Sequence, residues 1–343
     1  MPLTKADMAT FSIHVVARAL SALLAVGDPF AFLAPQVVLT DADRRQLAEG
    51  QTVARTLKAG DGQVALLSIS RVDVPPETLL AATRRIEDLK RSSLVSGLKR
   101  FSNPPRLDDL DELRLSPRDL AVAAACRPGN CSFKLTAAEI DVLRSPIDEL
   151  DRDEAIQRAF RRVVLARVDA YLAAGLSGLP PTANRSNAVC FDEVFKQLAA
   201  ASPSLPHAPC ASSWLRDFPN TTNRIESFLY WSEETYGPGK PVVVVTHVGI
   251  IPPSAPGDPA IVLGKQVMAT RYMTGGLSLM AITPDEGTGT NYLVYLNRTS
   301  VDLLGGFFGP LKRSALESRL KRELPDMIQK LRTRLERTPP PVR

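Results

Sequence analysis

The sequence predicts an α+β protein in which a curved antiparallel sheet grips a long C-terminal helix, with a large helical insertion earlier in the chain. Four β-like segments follow one another between residues 240 and 301, each rich in Val, Ile, Leu, Thr or Tyr and bounded by Gly, Pro or Asp. Short connections between consecutive strands favour an antiparallel meander. From Ser314 to Glu336 the apolar residues then recur every three or four positions, which is the period of an amphipathic helix.

The β-like segments and the apolar stripe of the helix have definite bounds. Strands are predicted at Val242–Ile251, Ala260–Tyr272, Leu277–Ile282 and Tyr292–Val301. The stripe consists of Leu316, Leu320, Leu324, Met327, Ile328, Leu331 and Leu335. Because burying such a stripe stabilises a fold strongly, we expect this helix to be integral to the protein and to enclose a cavity against the sheet.

The composition places the chain among globular proteins. Of its 343 residues 44% are hydrophobic and 23% are charged, so the chain can bury a large core. The formal charge of +5 comes from 42 basic and 37 acidic residues, and no basic tract is interleaved with aromatic residues. This pattern favours a solvated basic surface over nucleic-acid binding, so no nucleic-acid partner is predicted. Peripheral contact with an anionic membrane surface stays open.

Residues 1–27 have the pattern of a secretory signal. Lys5 and Arg18 precede the apolar run Ala19–Val26, and Ala25-Val26-Gly27 places small residues at a cleavage site. The alternative is an amphipathic N-terminal helix, because polar residues interrupt the wider apolar segment. The signal predicts a periplasmic or secreted protein.

The four cysteines also favour export, because they form two local pairs. Cys126 and Cys131 flank a Pro-Gly turn, and Cys190 and Cys210 lie farther along the chain. Two disulfides in an oxidising compartment are predicted, although four cysteines allow three connectivities and the sequence does not choose among them. Zinc binding is the rival use, but the spacing is not C-x-x-C and His207 is the sole histidine near Cys210. No metal or other cofactor is predicted.

The elements before the meander follow in chain order. Residues 28–62 are predicted to form a helical lead-in, followed by a strand at Gln63–Val74 that Pro75-Pro76 ends. Glu77–Lys90 carries apolar residues on or near one face and predicts a helix, and Ser93–Phe101 predicts a second strand. The first strand therefore runs almost directly into a helix.

Both ends of the chain resemble one known superfamily. A strand ending in Val-Asp-Val-Pro-Pro-Glu (72–77) and running straight into a helix resembles the opening of the START-like, or polyketide-cyclase-like (SRPBCC), helix-grip proteins. The sequence Asn-Arg-Thr-Ser-Val-Asp (297–302), then Gly305-Gly306 and a long helix, resembles their closing strand and grip helix. The resemblance covers residues 63–101 and 240–336. It implies one helix-grip domain built from residues 63–106 and 240–337, followed by a disordered tail at 338–343.

The middle of the chain departs from that superfamily and is predicted to be helical. Residues 107–239 form either a helical insertion or a separate helical domain, and periodicity does not decide between them. Pro117 starts one helix, and a capping box at residues 136–139 starts another that extends to about Leu150. Further helices are predicted at Asp153–Ala174, which Gly175 ends, at Phe191–Ala200 and at Thr222–Tyr236.

No stretch carries a specific catalytic signature. The motifs G-x-S-x-G, H-E-x-x-H and G-x-x-x-x-G-K-[ST] are absent, and Gly305-Gly306 lacks the pattern of a dinucleotide loop. His247, inside the most apolar strand, would need a nearby carboxylate or nucleophile to act as a general base, so a structural role is favoured. Arg298 and Asp302 lie four residues apart, which favours an ion pair over contact between Arg298 and a ligand head group. No catalytic residue is predicted.

The aromatic residues suggest where an apolar ligand would bind. Both tryptophans lie within Trp214–Tyr236, which we expect to roof the cavity, and small residues make room on the sheet. The candidate ligand-binding residues are Trp214, Tyr230, Trp231, Thr246, His247, Gly264, Arg298, Phe307 and Phe308. Core packing of the helical insertion is the alternative for the aromatic ones.

Two functions from different classes follow. The favoured one is an exported START-like carrier or transfer protein that binds an apolar small molecule (a lipid, sterol or isoprenoid) between the sheet and the C-terminal helix. The alternative is an enzyme of the same architecture, a cyclase- or hydrolase-like protein that uses His247 or a cavity carboxylate. A third hypothesis is a structural exported protein whose cavity is filled by side chains. The missing nucleophile motif favours the carrier.

Overall fold

The structure is a computed structural model that describes residues 27–145, 150–181, 190–205, 208–221, 225–235, 239–304 and 309–338. The predicted secretory signal, Gly27 apart, lies outside these residues, as do His207, Phe307, Phe308 and most of the predicted tail. None of the helices in the described ranges combines the length and the apolar composition that a membrane span needs.

The described residues contain eight strands and nine α-helices. The strands are β1 (Val53–Thr56), β2 (Gln63–Val72), β3 (Val95–Arg100), β4 (Glu226–Glu234), β5 (Val242–Ile251), β6 (Ala260–Ala269), β7 (Met273–Asp285) and β8 (Thr290–Val301). The helices are α1 (Asp41–Ala48), α2 (Glu77–Arg84), α3 (Ile86–Lys90), α4 (Pro117–Ala125), α5 (Ala137–Arg144), α6 (Arg152–Ala174), α7 (Phe191–Ala200), α8 (Pro209–Asp217) and α9 (Gly309–Glu336).

All eight strands form one antiparallel sheet in the order β1-β2-β8-β7-β6-β5-β4-β3. Strands β3 to β8 follow one another as a meander, and β2 pairs with β8 from Gln63 opposite Ser300 to Val72 opposite Asn291. An early strand and the last strand are therefore neighbours. The α+β class and the antiparallel meander predicted from the sequence are confirmed.

The C-terminal helix α9 crosses one face of the sheet. It packs against β1, β2 and α2, and its Leu324, Ile328 and Leu335 are at most 2% exposed. Met327 is 44% exposed, so its place in the predicted stripe is wrong. Successive residues of an α-helix are rotated by about 100° around the helix axis. Met327 therefore lies at the edge of the face on which Ile328 is buried. The sheet and α9 together form the helix-grip arrangement that the sequence resemblance implies.

We name the two faces of the sheet after the helices that cover them. The α9 face packs against α2, α3 and α9. The insertion face packs against α4 to α8 and against the N-terminal segment around Phe30. The helical insertion therefore covers the side opposite to α9 and does not roof the space beside α9, which corrects the prediction. The physical reason is that both faces of the sheet carry clusters of apolar side chains, and both clusters need cover.

Two predicted helices differ in the structure. Thr222–Tyr236, predicted as a helix, contains strand β4 instead. Its side chains alternate with the period of a strand, since Tyr230 joins the core of the α9 face and Trp231 the core of the insertion face. The helix predicted at Glu77–Lys90 is divided into α2 and α3 by Arg85, whose φ of −106° and ψ of 57° are not helical.

The cysteines form one disulfide in the described chain. Cys126 and Cys131 are bonded to each other across a turn, as predicted. Cys190 and Cys210 are free thiols, which corrects the prediction of a second disulfide. Cys190 precedes α7 and is exposed, whereas Cys210 lies in the first turn of α8 and is partly buried, so the two thiols belong to the starts of different helices. No group of three or more His, Cys, Asp or Glu side chains in the described ranges is placed to hold a metal ion.

Candidate functional site

The sheet divides the candidate ligand-binding residues between its two faces. Successive residues of a strand point to opposite faces, so Tyr230 is separated from Trp231 and Thr246 from His247. The α9 face carries Tyr230, Thr246 and Gly264. The insertion face carries Trp214, Trp231, His247 and Arg298. The predicted residues are therefore not brought together in one place.

His247 lies inside a cluster of aromatic rings on the insertion face. Its Nδ1 is 2.8 Å from the Oη of Tyr171, and its ring centroid lies 4.6 Å from that of Phe218 and 4.7 Å from that of Trp214. Burial, with the nearby positive charge of Lys265, holds the pKa of His247 well below its usual value, so the ring is neutral at pH 7. With one hydroxyl and several rings as neighbours and 2% of its surface exposed, His247 is packed as a core residue.

The same cluster contains a buried lysine that is not among the predicted site residues. Lys265 lies directly opposite His247 in the sheet, and it is 1% exposed. Its Nζ donates to the main-chain oxygen of Trp214 at 2.8 Å and lies 5.1 Å from the ring centroid of Phe218. Burial lowers the pKa of Lys265 from 10.5 to about 7, although the charge of Asp217 opposes the shift. The feature of the sequence that could have indicated this residue is a lysine in the middle of a mainly apolar strand.

Trp231 and Arg298 have structural partners on the insertion face. Trp231 Nε1 donates to a main-chain oxygen of the insertion at 2.8 Å. Arg298 is 4% exposed, and its Nη1 donates to the main-chain oxygen of Lys58 at 3.1 Å. The ion pair expected between Arg298 and Asp302 is not formed, because the Asp302 carboxylate binds Lys134 Nζ at 2.6 Å instead.

The insertion face is closely packed around these residues. A Cβ on Gly249 would lie 3.2 Å from the Trp214 ring and 2.7 Å from Ile225, so the glycine is what allows these side chains to approach β5. A void between the sheet and α8, bordered by Leu215 and Leu263, measures about 10 Å³. A single water molecule needs about that much space. The candidate residues on this face therefore belong to the core.

The α9 face carries a patch of neutral polar side chains in the middle of the sheet. We call it the polar patch, and it consists of Thr246, Gln266, Ser278, Asn297 and Thr299. The strand register brings these residues together: Thr246 lies opposite Gln266 and Ser278 lies opposite Asn297, on the four adjacent strands β5 to β8. All five side chains are partly buried, so they stay accessible although strands flank them on both sides.

Two glycines leave room for the polar patch. A Cβ on Gly264 would lie 2.4 Å from the Oγ of Ser278, and one on Gly276 would lie 2.8 Å from the Oε1 of Gln266. Both distances are shorter than real Cβ contacts, so the polar groups occupy space that larger residues would fill. The Nε2 of Gln266 is buried and donates to no group in the described part of the protein. Leaving a buried donor unsatisfied costs about 1–3 kcal/mol.

A second cluster of hydrogen-bonded polar side chains lies beside the polar patch. Lys90 Nζ binds the Oε1 of Glu234 at 2.5 Å and the Oη of Tyr230 at 3.2 Å, and Ser232 Oγ donates to the same carboxylate oxygen at 2.6 Å. Burial raises the pKa of Tyr295 to about 12, and the charges of Lys90 and Glu234 also act on it. Three strands separate Tyr295 on β8 from Tyr230 on β4. Both residues nevertheless pack against the core that the sheet shares with α9, as the concave face of a curved sheet does.

The concave face combines this polar centre with apolar surroundings. Val64, Leu66, Val248 and Val262 of the sheet share one core with Leu324 and Ile328 of α9. The carboxylate beside the patch, Glu234, is held by Lys90 and Ser232. Chemically, the arrangement offers neutral hydrogen-bonding groups surrounded by apolar side chains.

Comparisons with known proteins found little similarity. No family model matches the sequence, and no curated protein matches it. Among solved structures, the crystal structure of human STARD10 is similar at 11% sequence identity, over 87% of this chain and 80% of that chain, with a TM-score of 0.34. This score is too low for the likeness to say anything about the site.

Proposed function

We propose that this chain binds an amphipathic small molecule, with an apolar body such as that of a lipid, sterol or isoprenoid, on the concave face beside α9. The observation that carries the proposal is the polar patch. Five neutral hydrogen-bonding side chains lie partly accessible at the centre of an apolar sheet face that a long helix crosses. Polar groups at such a position destabilise a core unless they have hydrogen-bond partners. Thr299 Oγ1 donates to Asn297 Oδ1 at 2.8 Å, whereas the Nε2 of Gln266 has no partner in the described residues, and a ligand would supply one.

The opposite face of the same strands supports this interpretation. In β6 and β7 the residues that point to the insertion face include Leu263, Leu277 and Leu279, which are all at most 4% exposed. The α9 face of the same two strands carries Gln266 and Ser278 instead. Lys265, the charged residue on the insertion face of β6, has a partner in the main-chain oxygen of Trp214, whereas the Nε2 of Gln266 has none in the described residues, which supports a separate role for the polar patch.

The chemistry of the patch indicates how the ligand is oriented. Its donors and acceptors are uncharged, so they suit a hydroxyl, carbonyl or amide group on the ligand. The surrounding valines and leucines suit the apolar body, whose burial contributes roughly 25 cal/mol per Å² before the cost of ordering is subtracted. The unpaired Nε2 of Gln266 is the donor that we expect to contact an oxygen of the ligand.

Displacement of a fluorescent fatty acid and of a fluorescent sterol tests the proposal. Ser278→Phe would fill the centre of the polar patch, and Gln266→Leu would remove its unpaired donor. Ser318→Phe and Gln329→Leu are matched controls, because both residues are exposed on α9. We expect saturable binding that the two patch variants lose, with melting temperatures kept, and that both controls retain. A protein that binds no apolar probe would contradict the proposal.

Export and a carrier role are further parts of the proposal. The Cys126–Cys131 disulfide and the secretory pattern of residues 1–27 support an oxidising compartment. The intact mass of protein recovered from its native host should show that the leader has been removed. Native mass spectrometry before and after organic extraction should show a bound apolar molecule, and loaded protein should deliver it to acceptor vesicles. A chain that keeps its leader would contradict export, and a loaded chain that releases nothing would contradict the carrier role.

A further inference from the structure

A surface groove lies between the junction of α2 with α3 and the last turn of α9. Its volume is about 320 Å³. The groove is lined by Ala82, Arg85, Asp88, Leu89, Arg334, Arg337 and Thr338. Small-molecule pockets begin at about 300 Å³, so the groove can hold one compact chemical group and part of what is attached to it.

The groove has a positive charge that comes from three arginines. Arg85 lies at the junction of α2 and α3, whereas Arg334 and Arg337 lie at the C-terminal end of α9. The three arginines are therefore brought together by the fold and not by a run of basic residues in the sequence. Asp88 supplies one negative charge, and the C-terminal end of α9 supplies about half of one. Three positive charges outweigh these two contributions, and the groove attracts anions.

The three guanidinium groups are not paired with carboxylates in the part of the chain that the structure describes. Their neighbours in sequence are paired: Arg84 binds Glu226 at 2.7 Å, and Arg332 binds Glu336 at 2.6 Å. The charges of the three groove arginines are thus available to a ligand, whereas those of Arg84 and Arg332 are engaged by carboxylates.

One of these arginines is held by the backbone. The Nη1 of Arg334 donates to the main-chain oxygen of Leu89 at 2.8 Å, and the side chain is partly buried. Arg85 interrupts the helix between α2 and α3, and its side chain is exposed at the junction. Ala82 and Leu89 are buried and form an apolar floor. The guanidinium group of an arginine can donate to two oxygens of a phosphate at once. Several guanidinium groups around one apolar surface favour that geometry.

We propose that this groove binds a phosphate group, carried either by a small phosphate ester or by the head group of an anionic lipid. The groove lies at the end of α9 that packs against α3, and its arginines are distinct from the neutral residues of the polar patch. The proposal therefore does not depend on the ligand of the concave face.

Two measurements on the full chain distinguish the sources of the phosphate. Calorimetric titration with inorganic phosphate and with glycerol 3-phosphate tests the free phosphate ion and a small phosphate ester. Flotation with phosphatidylcholine vesicles, with and without phosphatidic acid, tests a lipid head group. The test variant is Arg85→Gln with Arg337→Gln. The matched control is Arg152→Gln with Arg322→Gln, since these two exposed arginines lie outside the groove and their loss changes the net charge equally.

We expect the groove variant to lose about tenfold or more in affinity, because each charge-assisted hydrogen bond to phosphate is strong. The control should bind as the unchanged chain does. A loss with the free phosphate compounds alone supports the proposal with a small ester as the source, and a loss with vesicles alone supports it with a lipid head group as the source. A loss in both measurements supports recognition of the phosphate group from either source. No binding in either measurement, or an equal loss in the control, would overturn it. If the Gln variant does not melt cooperatively, Arg85→Lys with Arg337→Lys keeps the charge, and a loss in that pair supports recognition by the guanidinium groups.

Discussion

The ammonium group of Lys265 makes two contacts with Trp214. Its Nζ donates to the main-chain oxygen of Trp214 at 2.8 Å and lies 4.3 Å from the centre of the indole ring. A cation near the face of an indole is favourable, but removing an ammonium from water is not. The depressed pKa of about 7 shows that the cost of burial is the larger effect. The strand β6 and the helix α8 are therefore joined by a lysine that titrates near neutrality.

The first prediction concerns the pH dependence of stability. In the unfolded chain Lys265 has its ordinary pKa of 10.5, and in the folded protein the value is about 7. Between these values the unfolded state binds more protons, so stability is lost as the pH falls from 10.5 towards 7. At about 1.36 kcal/mol per pH unit the full effect is roughly 4–5 kcal/mol. Lys265→Met should remove this slope.

Chemical denaturation of the unchanged chain and of Lys265→Met at several pH values from 7 to 10 measures the effect. The free energy of unfolding of the variant minus that of the unchanged chain should fall steadily as the pH rises. Lys196→Met is the control, because Lys196 is exposed. Parallel pH profiles for the unchanged chain and Lys265→Met would contradict the prediction.

The second prediction concerns the end of α6. Gly175 has a φ of +65°, and a Cβ there would lie 2.1 Å from the main-chain oxygen of Phe218. Gly175→Ala should destabilise the protein by roughly 3 kcal/mol or more, because the strained backbone and the clash add. Gly50→Ala is the control: its φ is +75° but nothing lies within 4 Å, so only about 1–2 kcal/mol should be lost. Equal midpoints of urea unfolding for the two variants would disagree with this account.

The third prediction concerns the buried stripe of α9. Leu324 is 2% exposed and Met327 is 44% exposed. Leu324→Ala should lower the free energy of unfolding by about 2–5 kcal/mol, since it leaves a cavity against the sheet. Met327→Ala should change it by about 0.5 kcal/mol at most. Thermal and denaturant unfolding measure both, and a Met327 variant as unstable as the Leu324 variant would show that α9 packs differently.

The fourth prediction concerns the cysteines. Unfolded, non-reduced protein should expose two thiols to alkylation, those of Cys190 and Cys210, and reduction should raise the number to four. Closing the short loop between Cys126 and Cys131 should contribute roughly 2 kcal/mol, by the loop-entropy relation. Unfolding of Cys126→Ser with Cys131→Ser measures that contribution. The absence of free thiols in non-reduced protein would mean that a second disulfide forms after all.

Much of the fold could be predicted because its signals are local. The bounds predicted for β5 (Val242–Ile251) and for α7 (Phe191–Ala200) agree with the structure, and Gly175 ends α6 as expected. The capping box at Thr136 and Glu139 is formed by both side chains. Each of these features depends on residues a few positions apart, so a short window of sequence contains all the relevant interactions.

The candidate site was predicted less well. Adjacent strand residues such as Thr246 and His247 cannot share a face, and the alternation of strands contains that information. The polar patch was not predicted as a unit, because its members come from four strands and meet only through the register. Lys265 is not among the predicted site residues, since nothing in its own strand indicates that Trp214 and His247 surround it.

By itself, the amino-acid sequence determined the class of the fold, the last four strands of the meander and the long amphipathic helix, and it indicated the local pair Cys126 and Cys131 without fixing how the four cysteines are connected. Only the tertiary structure decided which face the insertion covers, that β4 is a strand, and that Arg85 and Arg334 share a groove although about 250 residues separate them. The physical reason is the range of the interactions. Periodicity and capping act within a few residues, whereas register and the packing of helices on a sheet depend on contacts between distant segments, which no local pattern specifies.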